Sequence, residues 1–98
     1  ESVRIVGKSS SQNYFNSSWL FTIIVENDRL GLMKKLREHK IESAQVHYRN
    51  DRYSIFGERR IDLPNMDLFE DKYLVLPLHT KVTKNHVIKI CDLINSGW

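Results

Sequence analysis

An apolar run from Trp19 to Val25 constrains the fold more than any other part of the chain. Successive side chains of a β-strand point to opposite faces of the sheet, so Ile23 would lie on one face and Ile24 on the other. Both faces of this run are apolar, which is typical of a strand that is covered on both sides. We therefore predict a central strand with other elements packed on each of its faces.

The size and composition indicate one modest domain, which we assign to residues 1–98. With 41% hydrophobic residues, a chain of this length encloses a single core. The formal net charge of +3 is small and evenly mixed, so it does not indicate a nucleic-acid partner. A single cysteine, Cys91, excludes an internal disulfide and is typical of a reducing compartment. No apolar run approaches the roughly 20 residues that span a bilayer, and we predict a cytoplasmic protein without a membrane partner.

Hydrophobic periods and capping residues predict an α+β fold with a small antiparallel sheet and helices packed on one of its faces. Strands are predicted over Trp19 to Val25, Ala44 to Tyr48 and Leu74 to Leu78, with an edge strand over Ser2 to Val6. Helices are predicted from a cap at Asn27-Asp28 to about His39, from a cap at Asn65 to about Tyr73, and from a cap at Thr83 to Gly97. Pro77 cannot donate a ladder hydrogen bond, so the third strand should be short or should lie at an edge near Pro77.

Two side-chain patterns on these helices favour structural roles. The first helix gathers positive charge in its C-terminal half, which suits the helix dipole and predicts a solvated face formed by Lys34, Lys35, Arg37 and Lys40. On the last helix, apolar residues recur at helical spacing at Val87, Ile90, Cys91 and Ile94. This spacing predicts that Cys91 is a small core residue rather than a nucleophile.

A polar segment, Arg49 to Tyr53, follows the second predicted strand directly. Loops at the ends of strands often carry binding groups because a rigid sheet holds them in place. The same residues would also suit a salt-bridged surface turn, and both interpretations stay open. The four histidines do not pair at the helical spacing of metal ligands, and no G-x-S-x-G nucleophile elbow occurs, so neither a metal centre nor that class of hydrolase is indicated.

The order of these elements, together with the short sequence motifs that they contain, resembles the C-terminal small domain of the DegT/DnrJ/EryC1/StrS aminotransferases. The resemblance rests on Ser18-Trp19-Leu20-Phe21, Arg29 to Glu38, Ile41-Glu42-Ser43, His47-Tyr48, Leu63-Pro64 and Leu74 to His79, in that order and spacing. It implies a C-terminal fragment of a fold-type I enzyme that uses pyridoxal 5'-phosphate. Such enzymes move an amino group, usually from glutamate, to a nucleotide-linked keto sugar in polysaccharide or antibiotic sugar biosynthesis.

The resemblance also implies where the chemistry lies. The family keeps its cofactor-binding groups, including the lysine that forms the Schiff base, in a large domain that is absent from these 98 residues. We therefore expect no catalytic residue and no cofactor-binding residue in this chain, and an inactive fragment. Dimerisation is expected through the same large domain, as a homodimer.

Sugar-nucleotide contacts are implied on two segments, the start of the first long strand and the loop after the second. The candidate substrate-binding residues are Trp19, Phe21, His47, Arg49, Asp51, Arg52 and Tyr53. Aromatic faces suit sugar C–H groups and bases, and arginine forks suit oxygens. The chain departs from the family where many members have His-Tyr-Pro-x-His, since Arg49 and Asp51 replace the proline and the second histidine, and where many have Gly-Ile, since Lys40-Ile41 stands there.

Two other functional classes fit the same residues. A small autonomous α+β module without catalytic activity could bind a partner such as RNA, with Trp19, Phe21 and Tyr48 as stacking surfaces. The glycine and aromatic signature of ribonucleoprotein domains is missing, and the positive charge is dispersed. A structural domain without a site of its own is the other alternative, and the sequence upstream of this chain would separate these classes.

Overall fold

A computed structural model describes residues 2–7, 13 and 16–98 and shows the expected α+β fold. Its elements in chain order are β1 (Val3–Ile5), β2 (Phe21–Val25), α1 (Arg29–Glu38), α2 (Pro64–Glu70), β3 (Tyr73–Leu76) and α3 (Lys84–Asn95). Two short 3-10 turns, Asn50–Arg52 and Ser54–Phe56, lie between α1 and α2.

The apolar run is the central strand of a three-stranded antiparallel sheet with the order β1-β2-β3. Ile24 of β2 is paired with Arg4 of β1 and with Tyr73 of β3. The strand is shorter than predicted, because β2 begins at Phe21 and leaves Trp19 outside the sheet with 78% of its surface exposed. As expected, β1 is an edge strand and β3 is short, although β3 runs from Tyr73 to Leu76 rather than to Leu78.

The two long helices pack on one face of the sheet, as the sequence predicts. Ile23 and Val25 of β2 lie in one cluster with Leu32 and Leu36 of α1 and Ile90 of α3. The opposite face is covered as well, because Ile24 is buried and Phe69 of α2 stacks on the buried Tyr73 with 4.7 Å between ring centroids. Cover on both faces explains why the central run is apolar throughout.

The predicted strand Ala44 to Tyr48 is wrong in detail. Only Ala44 pairs with the sheet, through an isolated bridge to Val75 at the outer edge of β3. His47 has a φ of 61°, in the left-handed region, which turns the backbone away from an extended ladder. The segment therefore leaves the sheet after one paired residue and turns into the polar loop.

Three helix predictions also need correction. The second helix begins at Pro64 and ends at Glu70, with Leu63 rather than Asn65 at the N-cap, because proline is favoured in the first turn. Cys91 is exposed rather than buried, and Val87 is half exposed. The buried face of α3 instead carries Ile90 with Leu93 and Ile94, which share the spacing i, i+3, i+4.

The basic face of α1 is not uniformly solvated, since Lys35 binds the C-terminal end of α3. Its Nζ donates to the carbonyl oxygens of Leu93 (2.8 Å) and Gly97 and to the hydroxyl of Ser96 (2.7 Å). An ammonium group is favourable there because the last carbonyls of a helix lack partners and carry the negative end of the dipole. Lys35 therefore ties α1 to α3.

Lys40 occupies a backbone position that favours glycine. The Lys40 N–H donates to Arg37 O (2.9 Å) and the Ile41 N–H donates to Leu36 O (2.9 Å), which is the hydrogen-bond pattern of a Schellman motif. The residue at this point adopts a left-handed conformation, and the φ of Lys40 is 60°. Lys40 thus adopts a strained backbone conformation at the position where many members of the family that the chain resembles have glycine.

Replacing Lys40 with glycine should stabilise the domain by about 1 kcal/mol, because glycine adopts the left-handed conformation without a Cβ clash. Thermal unfolding by circular dichroism measures the change. Lys34→Gly is the control, since Lys34 lies inside α1, where glycine should destabilise by about 1 kcal/mol. A lower stability of Lys40→Gly would contradict this account of the helix end.

Candidate functional site

The segment that enters the polar loop is held by β3 and by the end of α2. Ala44 exchanges two backbone hydrogen bonds with Val75, of 3.1 and 2.8 Å. The Gln45 amide then donates to the carbonyl of Glu70 at 2.9 Å. The Tyr73 hydroxyl donates to the Val46 carbonyl at 2.6 Å, and burial raises the pKa of that phenol. The loop therefore starts from a fixed point.

Arg49 is the centre of an ion cluster that joins the loop to α2. Only 4% of the residue is exposed. Its Nε and Nη2 donate to the two carboxylate oxygens of Asp51, each at 2.5 Å, in a bidentate pair. Its Nη1 donates to Asp67 at 2.5 Å and to Glu70 at 3.4 Å, and Nη2 also reaches the Arg60 carbonyl at 3.4 Å. All five guanidinium donors of Arg49 are thus used within the chain.

A second arginine and a backbone amide complete this ion cluster. Arg59 donates to Asp67 and to Glu70, both at 3.0 Å, from a more exposed position. The Arg60 N–H donates to the second oxygen of Asp51 at 2.9 Å. The cluster therefore joins the loop to α2 and to the segment before it, with three carboxylates around two guanidinium groups.

These contacts shift the pKa values of the cluster in opposite directions. The Arg49 guanidinium, and after it the Arg60 N–H, lowers the pKa of Asp51. Arg49 likewise lowers the pKa of Asp67, and hydrogen bonds from Asp51 and Asp67 raise the pKa of Arg49. Both aspartates are therefore ionised, and Arg49 is charged, at neutral pH.

The lowered carboxylate pKa values predict an acid-dependent loss of stability. A carboxyl group whose pKa is lower in the folded state stabilises the fold above its unfolded pKa, near 4, and loses this contribution as pH falls through the folded value. We expect the melting temperature to fall steadily below about pH 4, with a smaller slope in Asp51→Asn. Asp92→Asn is the control, because Asp92 is exposed. If the melting temperature falls with pH equally steeply in the unmodified protein, in Asp51→Asn and in Asp92→Asn, Asp51 does not cause the acid-dependent loss of stability.

The loop and the residue Trp19, which precedes β2, expose a group of aromatic and cationic side chains. We call this group the platform: Trp19, His47, Tyr48, Arg52 and Tyr53. The rings of Trp19 and His47 lie 5.1 Å apart at an angle of 42°. The Arg52 guanidinium lies over the Tyr48 ring, 4.4 Å from its centroid. His47 and Tyr48 line an open cavity of about 570 Å³, together with Arg49, Asp51 and Phe56. The platform offers ring faces and a cation to a ligand.

The structure divides the seven predicted site residues into three groups. Trp19, His47, Arg52 and Tyr53 are exposed and share the platform. Arg49 and Asp51 belong to the ion cluster, where they bind each other, and both line the cavity beside His47 and Tyr48. Phe21 packs against the core on the helix-bearing face.

Sequence reasoning missed the acidic partners of Arg49 on α2. Asp67 and Glu70 are separated from Arg49 by 18 and 21 residues in sequence. Their spacing of three residues places both on one face of a helix, and this was the available signal. Tyr48 lies within the predicted sugar-nucleotide segment, His47 to Tyr53, but is not one of the seven candidate residues, and it carries Arg52 on its ring.

The described residues offer no fitting site for pyridoxal phosphate or for a metal ion. None of the lysines in the part of the chain that the structure describes is buried, and Lys35 and Lys72 are engaged with α3 and with Glu26. No group of three or more metal-binding side chains occurs among residues 2–7, 13 and 16–98. No catalytic step can be derived from a cofactor held by these residues.

Comparison with known proteins identifies the family. The model of the DegT/DnrJ/EryC1/StrS aminotransferase family matches residues 2–95. The chain belongs to this aminotransferase family. The resemblance predicted from the sequence is thereby confirmed. No curated protein matches the chain.

Two solved structures share the fold of this aminotransferase domain. The sugar aminotransferase CalS13 from Micromonospora echinospora is 24% identical, with a TM-score of 0.83 over 96% of this chain and 25% of that one. The aminotransferase TlmJ from Streptoalloteichus hindustanus is 15% identical, with a TM-score of 0.85 over 99% of this chain and 26% of that one. The chain spans about a quarter of these proteins. No described helix is long and apolar enough to cross a bilayer.

Proposed function

We propose that this chain is the C-terminal small domain of an enzyme that transfers an amino group from glutamate to a nucleotide-linked keto sugar. The family match supports amino transfer, and the solved structure named as a sugar aminotransferase supports a sugar acceptor. The observation that carries the proposal is the platform, which exposes ring faces and a guanidinium group, with His47 and Tyr48 lining an open cavity. Such surfaces suit sugars and nucleobases.

In this proposal the residues of the platform bind and orient the acceptor. Trp19 and Tyr48 offer apolar ring faces to C–H groups of the sugar or to the base. Arg52 offers planar donors to hydroxyl or diphosphate oxygens. Arg49 and Asp51 would hold the loop in place rather than bind the substrate, because their hydrogen-bonding groups are engaged with each other.

The cofactor would be held outside these 98 residues. When bound, pyridoxal phosphate supplies the electron sink for amino transfer. We propose that a larger domain of the parent enzyme carries it, together with the dimer contacts of a cytoplasmic homodimer. Ile55, Phe56, Ile61 and Leu68 are exposed apolar side chains, and a contact with another domain or subunit would cover them.

The test is an assay of the parent enzyme, saturated with pyridoxal phosphate, with glutamate and a panel of nucleotide-linked keto sugars. Mass spectrometry should detect an aminated nucleotide sugar, formed in equal amount with 2-oxoglutarate. Free keto sugars without the nucleotide are the control acceptors and should react poorly. Conversion of glutamate without amination of any nucleotide-linked sugar would overturn the proposed acceptor class.

A further inference from the structure

A second concave site lies away from the platform, between the end of α1, the segment after β3 and the first half of α3. We call it the basic cleft. It has a volume of about 560 Å³ and an apolar floor that includes Ile90. Its rim carries three histidines and three lysines: His39, Lys40, His79, Lys81, His86 and Lys89. It shares no lining residue with the platform.

The charge of the basic cleft is positive before any histidine is protonated. Three lysines line it against one carboxylate, Glu42, which leaves two positive charges with neutral histidines. The rim lysines are exposed, so their ammonium groups can turn towards a ligand, and Lys89 also reaches the His39 carbonyl at 3.5 Å. Clefts lined by one sign of charge concentrate ligands of the opposite sign.

Two of the histidines are fixed in one tautomer. The Lys81 N–H donates to Nδ1 of His79 at 3.2 Å, and the Thr83 N–H donates to Nδ1 of His86 at 3.2 Å. Because Nδ1 accepts in both rings, the neutral imidazole carries its hydrogen on Nε2. His39 differs, since its Nδ1 lies 3.0 Å from the Lys35 carbonyl and must donate to it. The cleft therefore combines ammonium groups with two oriented N–H donors.

Lys40 brings a cation into the basic cleft at a strained backbone position. It lies in the left-handed conformation of the Schellman motif, where glycine would remove the strain, and its side chain lines the basic cleft. A strained residue that also presents a functional group is a reason to look for a function of that group. The ammonium group of Lys40 is thus one of the cationic groups that line the cleft.

We propose that the basic cleft binds a phosphate-class oxyanion. Lys40, Lys81 and Lys89 would supply charge, and the Nε2–H groups of His79 and His86 would supply directed hydrogen bonds to its oxygens. The site is independent of the proposed sugar-binding platform. It therefore stands or falls separately from the proposed function.

The test is a titration of the complete 98-residue chain, labelled with ¹⁵N-histidine, with inorganic phosphate and separately with a sugar phosphate at constant ionic strength. The ring signals of His79 and His86 should shift and saturate in both titrations, and His47 on the platform should stay unshifted with inorganic phosphate, which lacks the sugar that the platform is proposed to bind. Saturation by inorganic phosphate alone would identify a free ion as the ligand, and tighter binding of the sugar phosphate would identify a phosphorylated metabolite.

Lys40→Gly is the decisive variant, because it removes a cation while relieving backbone strain and so should not fail to fold. It should raise the dissociation constant at least about fivefold, and Lys81→Ala should do the same. Lys34→Ala removes the same charge from outside the cleft and should leave the constant unchanged. The proposal is overturned if the shifts of His79 and His86 do not saturate, if His47 follows the same curve with inorganic phosphate, or if Lys34→Ala weakens binding as much as Lys40→Gly.

Discussion

Replacing Arg49 with methionine is expected to lower the melting temperature of the domain by more than about 10 °C. The side chain is buried, and its loss leaves the buried Asp51 without its guanidinium partner, since Arg59 binds Asp67 and Glu70 only. Removing one partner of a buried ion cluster is among the most destabilising single changes in proteins. Thermal unfolding by circular dichroism at neutral pH measures the effect.

Arg52→Met is the matched control for this prediction. It removes the same charge three residues away, from a guanidinium group that lies exposed over Tyr48, and should change the melting temperature by less than about 3 °C. Hydrogen exchange should show faster exchange at residues 47–53 in Arg49→Met only. Equal melting temperatures for the two variants would show that Arg49 does not hold the loop.

The second large effect is expected at the contact between α1 and the sheet. Leu36 is fully buried among the strands and α3, and it also supplies the carbonyl that accepts the Ile41 N–H at the helix end. Leu36→Ala should destabilise the domain by about 3 kcal/mol, from lost burial and the cavity that remains. Leu30→Ala makes the same change on the same helix at a residue that is 69% exposed, and should cost less than about 0.5 kcal/mol. The free energy of unfolding of both variants is measured by urea denaturation. Similar losses of this free energy in Leu36→Ala and Leu30→Ala would contradict the observed orientation of α1.

The sequence predicts most of the fold because its strongest signals are local. An apolar run with two apolar faces requires cover on both sides, and the structure provides it with α1 and α3 on one face and Phe69 on the other. The caps at Asp28 and Thr83 are also local, since each side chain accepts from a backbone N–H three residues later. Such patterns depend on neighbours within one helical turn.

Predictions that depend on distant partners were less accurate. The role of Arg49 depends on Asp67 and Glu70 of α2, and composition cannot tell whether an arginine in a loop meets a ligand or its own chain. Cys91 was placed in the core because Val87, Ile90, Cys91 and Ile94 are compatible with one stripe. Residues Ile90, Leu93 and Ile94 are equally compatible with a stripe, and packing against α1 selects that face.

The central claim is that the platform contacts the nucleotide-linked sugar in the parent enzyme. The most direct measurement compares the two half-reactions in Trp19→Ala and Arg52→Ala, with Lys84→Ala on an exposed part of α3 as control. We predict that kcat/KM for the nucleotide-linked keto sugar falls roughly tenfold in both platform variants, because a ring face or a charge-assisted hydrogen bond is lost. The glutamate half-reaction should be unchanged. If both half-reactions fall by the same factor, or if neither changes, the platform does not bind the sugar and the account is contradicted.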